Sequence, residues 1–332
     1  MTAMAAAVAA FIITAVAGKP LSGWLDKKGL SRTAIEKKEE GFSPGMRAVP
    51  EMGGLLYLLG LIASGLLAML VMVFTGAGEA FSAETETAKM LAVIVCTGLI
   101  GAVGLMDDWR RARRLDSMNP LLRLVIVFAV CFAFLAAVRL SGDRSSILMI
   151  PFAGIQLDVG QGWTVIMLVM LVGAAMGGDR MRASSGQCAS VALVCALGCG
   201  GVFAVFSRMG ACALAFGSAG ALLGLVLFVL PPEKLREGSG GAMAGCVLPV
   251  MAAIAGGAPL FILPAAIPFI FEGIYAIIKV ACQAAGSGKL SADSLGQWLM
   301  DRGISGKAVT GGYAVLSLLG CVLAVAGSYL YL

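Results

Sequence analysis

The stretch MLAVIVCTGLIGAVGLMDDWRRARR, residues 90–114, decides the class of this protein. It carries no charge from Met90 to Met106, and then two acids, Asp107 and Asp108, precede four arginines. An apolar run of nearly 20 residues is long enough to cross the hydrocarbon core of a membrane as a helix. The stretch therefore predicts a transmembrane helix that ends in a charged segment at the membrane surface.

The composition extends this prediction to the whole chain. Of its 332 residues, 59% are hydrophobic and only 13% are charged, and the mean hydropathy is +0.95. A soluble domain carries about 25% charged residues. The sequence predicts an all-α integral membrane protein, a single polytopic domain over residues 1–332 and no nucleic-acid partner. Its ten predicted spans are about 2–18, 53–75, 88–106, 120–140, 162–178, 188–206, 211–230, 242–257, 259–282 and 308–331.

The loop charges predict the orientation of these spans. Of the 24 lysines and arginines, 20 fall on one side of the ten-span arrangement and four on the other. Since cytoplasmic loops carry the excess of positive charge, the first side is cytoplasmic and both termini are extracytoplasmic. The alternating segment 150–160 predicts a short extracytoplasmic hairpin. Functional residues are expected in the cytoplasmic loops 19–52, 107–119, 179–187, 231–241 and 286–307.

The ends of the chain and its cysteines favour simple structural interpretations. No Lys or Arg precedes the first apolar run, so we expect an uncleaved first span rather than a signal peptide. Nine cysteines form no C-x-x-C pair, and the chain has no histidine. This argues against a zinc site and favours cysteines that pack within helices.

The acid pair at residues 107–108 has two interpretations. Adjacent helical residues point about 100° apart, so Asp107 and Asp108 would not simply share one metal ion. One carboxylate would face a cleft while the other orients a neighbouring group. Alternatively, the pair marks the end of a helix where it meets water. Because a helix C-terminus disfavours negative charge, the functional interpretation gains some weight.

Other segments also combine a functional and a structural interpretation. One such segment contains Pro50, Gly53 and Gly54. Its functional interpretation is a helix entry whose free N–H groups suit an anion, and its structural interpretation is a simple loop-to-helix turn. The GSGG segment 238–241 is an anion-binding nest or a flexible linker. Glu272 lies within the ninth span, where a carboxylate needs a structural partner or a water-lined cavity.

Taken in order, these motifs resemble a known family. P-x-M-G-G, a span ending in D-D, a span ending in Asp179, P-P-x-K before a glycine-rich turn, and P-F-I-F-E-G follow one another along the chain. This order resembles the polyprenyl-phosphate N-acetylhexosamine-1-phosphate transferases, and within them the phospho-N-acetylmuramoyl-pentapeptide transferase branch. The resemblance runs from about Lys19 to the last span, and the ten-span topology also matches.

The resemblance implies an activity, its cofactor and its location. The family transfers a phospho-sugar from a UDP-sugar to undecaprenyl phosphate with magnesium and releases UMP, in peptidoglycan synthesis. It implies an enzyme in the bacterial cytoplasmic membrane, often a homodimer, with its active face in the cytoplasm. The catalytic residues it implies are Asp107, Asp108 and Asp179, and Asp179 is also the implied magnesium ligand. The substrate-binding residues it implies are Arg47, Gly53, Gly54, Gly238, Ser239 and Gln297.

The sequence departs from the family pattern where the chemistry takes place. The family's magnesium-binding Asp aligns with Ser239, its second loop Asp with Arg182, and its histidines with residues 296–298. A serine hydroxyl is a poor substitute for a carboxylate on a hard cation. Glu237, two residues away from Ser239, is a candidate for the missing carboxylate.

Three hypotheses follow from the sequence. The first is an active but divergent sugar-1-phosphate transferase. The second is a pseudoenzyme of the same fold that binds a lipid carrier or a partner protein without turnover. The third is a transporter with Glu272 as its intramembrane group, which the concentration of charge on one membrane face disfavours.

Overall fold

The computed structural model describes residues 2–28, 30, 49–74, 82–142, 146–230, 232–284 and 294–331. Ten of its helices are long and apolar enough to cross a membrane, which confirms the predicted all-α integral membrane class. The orientation of the termini stays a prediction. The ten long helices are α1 (Thr2–Lys27), α2 (Gly53–Phe74), α3 (Ser82–Ala112), α4 (Pro120–Leu140), α5 (Gly162–Arg180), α6 (Gln187–Val205), α7 (Met209–Val229), α8 (Gly238–Ala255), α9 (Pro259–Ala284) and α11 (Gly306–Tyr331).

Several helices extend beyond the apolar runs from which they were predicted. Helix α1 continues to Lys27 and α3 to Ala112, so the segments 19–27 and 107–112 are helical rather than loops. Helix α8 begins at Gly238, and a short helix α10 (Leu295–Asp301) lies within the predicted loop 286–307. Hydropathy finds the hydrocarbon-spanning part of a helix, whereas the hydrogen-bonded helix can continue into the polar interface.

A β-hairpin joins α4 to α5, as the alternating segment predicted. Its strands are β1 (Ile147–Ile150) and β2 (Ile155–Asp158), so it begins slightly earlier than the predicted 150–160. They pair antiparallel, with Ile147 opposite Asp158 and Ile150 opposite Ile155. Gly154 in the turn has φ +62°, a conformation that favours glycine.

Helix α8 forms the centre of the helix bundle. In the most apolar stretch of α8, 94% of the residues are buried. In the corresponding stretch of the outer helix α1, 22% of the residues are buried. Helix α8 packs against α2, α3, α5 and α6. Its first turn therefore lies among the charged ends of α3 and α5, which is where the candidate site forms.

Close packing of α5 against α9 depends on glycines. A Cβ on Gly177 would overlap the carbonyl group of Phe269, and one on Gly273 would overlap the backbone of Gly173. Small residues allow transmembrane helices to approach this closely. The contact fixes the end of α5, which carries Asp179.

Gly177→Ala tests this contact. Since its methyl group would displace backbone atoms, we expect a loss of about 1–3 kcal/mol, measured as a lower unfolding temperature in detergent. Gly98→Ala is the matched control, because a Cβ on Gly98 has no neighbour within 4 Å. The control should be neutral or slightly stabilising. Equal unfolding temperatures for the two variants would contradict the packing argument.

Candidate functional site

The acid pair at the end of α3 is buried, and its two carboxylates have different partners. Asp107 and Asp108 are each 1% exposed. Asp107 accepts hydrogen bonds from the N–H of Met118 at 2.8 Å and from Nη1 of Arg123 at 3.0 Å. It also forms an ion pair with Arg111, one helical turn further on. The neighbouring carboxylates point apart, as their spacing on a helix requires.

Asp108 caps the N-terminus of the central helix. Its oxygens accept hydrogen bonds from the N–H groups of Ser239 at 2.8 Å and Gly240 at 3.0 Å, in the first turn of α8. These N–H groups have no partner within the helix, and a negative charge there is favourable. The carboxylate of Asp108 thus positions α8 against α3 and is not among the groups that line the neighbouring cavity.

Asp179 at the end of α5 is joined to Asp107 by a buried arginine. The guanidinium of Arg123 forms ion pairs with both Asp107 and Asp179. Arg182 donates from Nη2 to Asp179 at 2.9 Å, and the hydroxyl of Ser239 donates to the same carboxylate. Arg123 is 6% exposed and lies in the first turn of α4, whose N-terminus is capped by Asn119.

These groups line a cavity of about 470 Å³ at the ends of the spans. The walls of the cavity are polar and include four arginines and three carboxylates. The arginines give it a small excess of positive charge. Its charged residues are Glu51, Asp107, Asp179, Arg111, Arg123, Arg180 and Arg182, and its neutral polar residues include Ser117, Ser294 and Gln297.

Gln297 reaches this cavity from the short helix α10, which Glu272 holds in place. The carboxylate of Glu272 accepts hydrogen bonds from the N–H groups of Leu295 at 3.0 Å and Gly296 at 3.1 Å. The hydroxyl of Tyr313 donates to it at 2.6 Å. The buried carboxylate therefore has structural partners, which removes the observation that favoured a transporter.

Glu237 does not replace the carboxylate that is missing at Ser239. It is buried and accepts a hydrogen bond from the N–H of Ala189 at 2.6 Å, in the first turn of α6. Burial raises the pKa of Glu237 to about 7. The side chain borders a second cavity of about 400 Å³, which shares Glu51 and Arg182 with the first. Glu237 is not among the residues that line the first cavity, where Asp179 lies.

The glycines expected to bind substrate make backbone contacts. The N–H of Gly53 donates to the carbonyl oxygen of Arg236 at 2.7 Å, and Gly54 packs against the backbone of Gly241. Gly238 has φ +68° and borders the second cavity. The N–H of Gly53 is therefore occupied rather than open to an anion. Arg47 lies outside the described residues.

Sequence reasoning missed the role of Arg123 and Arg111. Both were counted only as cytoplasmic charges. The signal for Arg123 was its position: it is the one charged residue in the run PLLRLVIVFAVCFAFLAAV, 120–138. An arginine inside a span faces a partner in the protein interior by default, because a lone charge in hydrocarbon is costly.

The donor set does not fit the magnesium ion that the family resemblance implies. Magnesium prefers six oxygen ligands, commonly one or two carboxylates with water and phosphate oxygens. Here the carboxylates of Asp107 and Asp179 are each bound by two guanidiniums, and Ser239 offers only a neutral hydroxyl. Within the described part of the chain, no cluster of three or more His, Cys, Asp or Glu residues could hold a metal ion.

The chain is similar to several curated proteins, all named phospho-N-acetylmuramoyl-pentapeptide-transferase. The protein of Listeria monocytogenes serotype 4b is 26% identical over 201 residues, which cover 59% of this chain and 57% of that protein. The protein of Carboxydothermus hydrogenoformans is 27% identical over 294 residues, or 83% and 82% of the two chains. The protein of Geobacillus kaustophilus is 26% identical over 242 residues, or 70% and 68%.

These matches are distant and uneven in extent. The chain spans less than two thirds of the length of the Listeria relative. No family model matches the chain. The similarities confirm the resemblance that the motifs predicted. An identity of about 25% is consistent with a divergent relative of the phospho-N-acetylmuramoyl-pentapeptide-transferases.

Proposed function

We propose that this protein is a pseudoenzyme of the phospho-sugar transferase fold. In this proposal it binds the phosphate group of a polyprenyl lipid carrier at the cytoplasmic face of the bacterial cytoplasmic membrane. It acts in peptidoglycan lipid-intermediate synthesis without magnesium-dependent transfer. The ten membrane spans, the cavity at their ends and the names of the relatives support the location and the ligand class.

The bridge Asp107–Arg123–Asp179 carries the proposal. A phospho-sugar transferase needs a carboxylate that orients or deprotonates the attacking lipid phosphate, and a cation that neutralises the diphosphate. In this chain each of these two carboxylates already forms ion pairs with two guanidiniums. Such carboxylates are poorly placed to accept a proton or to bind a hard cation. The arginines, by contrast, suit a phosphate group.

The test combines a binding and a turnover measurement on purified protein in detergent. We expect undecaprenyl phosphate to bind, and we expect no UMP release from a panel of UDP-sugars in the presence of magnesium. Asp107→Asn should leave lipid binding detectable. Failure of undecaprenyl phosphate to bind to folded protein would refute the proposal.

An active transferase is the second candidate, because Asp107 and Asp179 face the same cavity. It predicts magnesium-dependent UMP release that Asp107→Asn reduces by about 10²–10³. Asp158→Asn in the β-hairpin is the matched control, since Asp158 is exposed and distant from the cavity in the fold. UMP release that is lost in the first variant and kept in the second would establish this candidate and exclude the pseudoenzyme.

A further inference from the structure

Three guanidinium groups surround the two carboxylates of the cavity. Arg111 and Arg123 contact Asp107, and Arg123 and Arg182 contact Asp179. Each guanidinium has five N–H donors and each carboxylate about four lone-pair sites, so about fifteen donors meet about eight acceptor sites. A backbone N–H and a serine hydroxyl already occupy part of those sites. The cluster therefore has more donors than its own acceptors can satisfy.

The excess appears directly as buried donors without partners. Among the described residues, the Nε atoms of Arg111 and Arg123 are buried and make no hydrogen bond. An unsatisfied buried donor costs about 1–3 kcal/mol. An oxygen-rich anion in the adjoining cavity would supply acceptors to these guanidiniums once they reorient. A cation would supply no hydrogen-bond acceptor, and the guanidiniums would repel it.

The charge balance of the cluster points the same way. Three arginines and two aspartates leave one net positive charge within the cluster. A guanidinium recognises phosphate through paired N–H···O bonds and stays charged when buried. Arginine can thus supply both the neutralising charge and the oriented donors for a phosphate group.

We propose that Arg111, Arg123 and Arg182 bind a phosphate or diphosphate group in this cavity without a divalent cation. The guanidiniums neutralise the anion at the place where the transferase family is expected to use magnesium. This inference rests on the proposed function, in which the cavity receives a phosphate-bearing ligand. Free phosphate and a lipid phosphate group share this chemistry, and separate binding measurements distinguish them.

The test measures binding of inorganic phosphate and pyrophosphate to the full chain in detergent by calorimetry, with EDTA and with magnesium. We expect pyrophosphate to bind in EDTA, and we expect magnesium not to strengthen this binding. Because Arg123 also bridges two buried acids, the binding variants are Arg111→Gln and Arg182→Gln. Each should weaken binding by about tenfold, since each removes a charged hydrogen-bond donor.

Arg208→Gln is the matched control. Arg208 pairs with Glu86 and is far more exposed than the cluster arginines, so its loss should leave pyrophosphate binding unchanged. Binding that requires magnesium would overturn the inference, and so would the absence of pyrophosphate binding to folded protein. Equal affinities for the two cluster variants and the control would overturn it too.

A binding measurement with undecaprenyl phosphate distinguishes a failure of this inference from a failure of the proposed function. Lipid binding that persists undiminished in Arg111→Gln and Arg182→Gln would overturn the inference and leave the proposed function standing. Pyrophosphate binding without lipid binding would overturn the proposed function and leave the cation-independent anion site standing.

Discussion

Arg123→Met is expected to lower the free energy of unfolding by about 3 kcal/mol. Its guanidinium bridges Asp107 and Asp179, all three residues being buried. Removing one member of a buried ion network leaves charge without compensation, which typically costs 3–5 kcal/mol. Arg111 still pairs with Asp107 and Arg182 with Asp179, so we place the expected cost at the lower end of that range.

Thermal unfolding in detergent measures this effect. Arg139→Met is the matched control: it makes the same substitution at the other end of helix α4, where the guanidinium lies 4.6 Å from the centre of the Trp163 ring. Loss of that cation–π contact should cost about 1 kcal/mol. If Arg123→Met and Arg139→Met unfold at the same temperature, the buried bridge contributes no more than the contact between Arg139 and Trp163.

A second substitution isolates the contact between Arg123 and Asp107. Asp107→Asn removes the carboxylate charge at one end of the bridge. The loss of stability in the double variant should therefore be smaller than the sum of the two single losses, and a double-mutant cycle measures this coupling. Additive losses in the cycle would mean that Arg123 acts mainly through packing of its side chain.

The ten membrane spans could be predicted from the sequence because each depends on a local property. A run such as 90–106 is apolar over its whole length, and any such run must form a hydrogen-bonded helix in a membrane. The β-hairpin was predictable for a similar reason, since alternation over a few residues indicates a strand. The polar helix ends were not, because hydropathy falls where the charged residues begin while the helix continues.

The candidate site could be predicted only in part because its contacts join distant parts of the chain. The spacing of Asp107 and Asp108 indicated that they diverge, but their partners come from other helices. Arg123 and Asp179 are separated by 56 residues, and Ser239 lies 60 residues beyond Asp179. A loop-charge count treats Arg123 as one of twenty positive charges. Only packing of α3, α4, α5 and α8 makes it a bridge.

Glu237 is expected to make the stability of the protein depend on pH. Burial raises its pKa from 4.5 to about 7, although the backbone N–H groups of Ala189 and Cys188 and the charges of Arg182 and Arg236 oppose this. The folded chain then binds a proton more tightly than the unfolded chain. Between pH 4.5 and 7 the free energy of unfolding should therefore fall as pH rises, by about 3 kcal/mol, and level off above that.

Glu237→Gln removes the titrating group while it keeps an oxygen that can accept from Ala189. Unfolding temperatures between pH 5 and 8 should accordingly depend less on pH in this variant, and the variant should be more stable than the wild type at pH 8. Glu233→Gln, four residues earlier, makes the same charge change at a partly exposed carboxylate that pairs with Arg236. It should keep the wild-type pH dependence. If Glu237→Gln also keeps that dependence, Glu237 is not the group responsible, and its carboxylate is charged throughout this range.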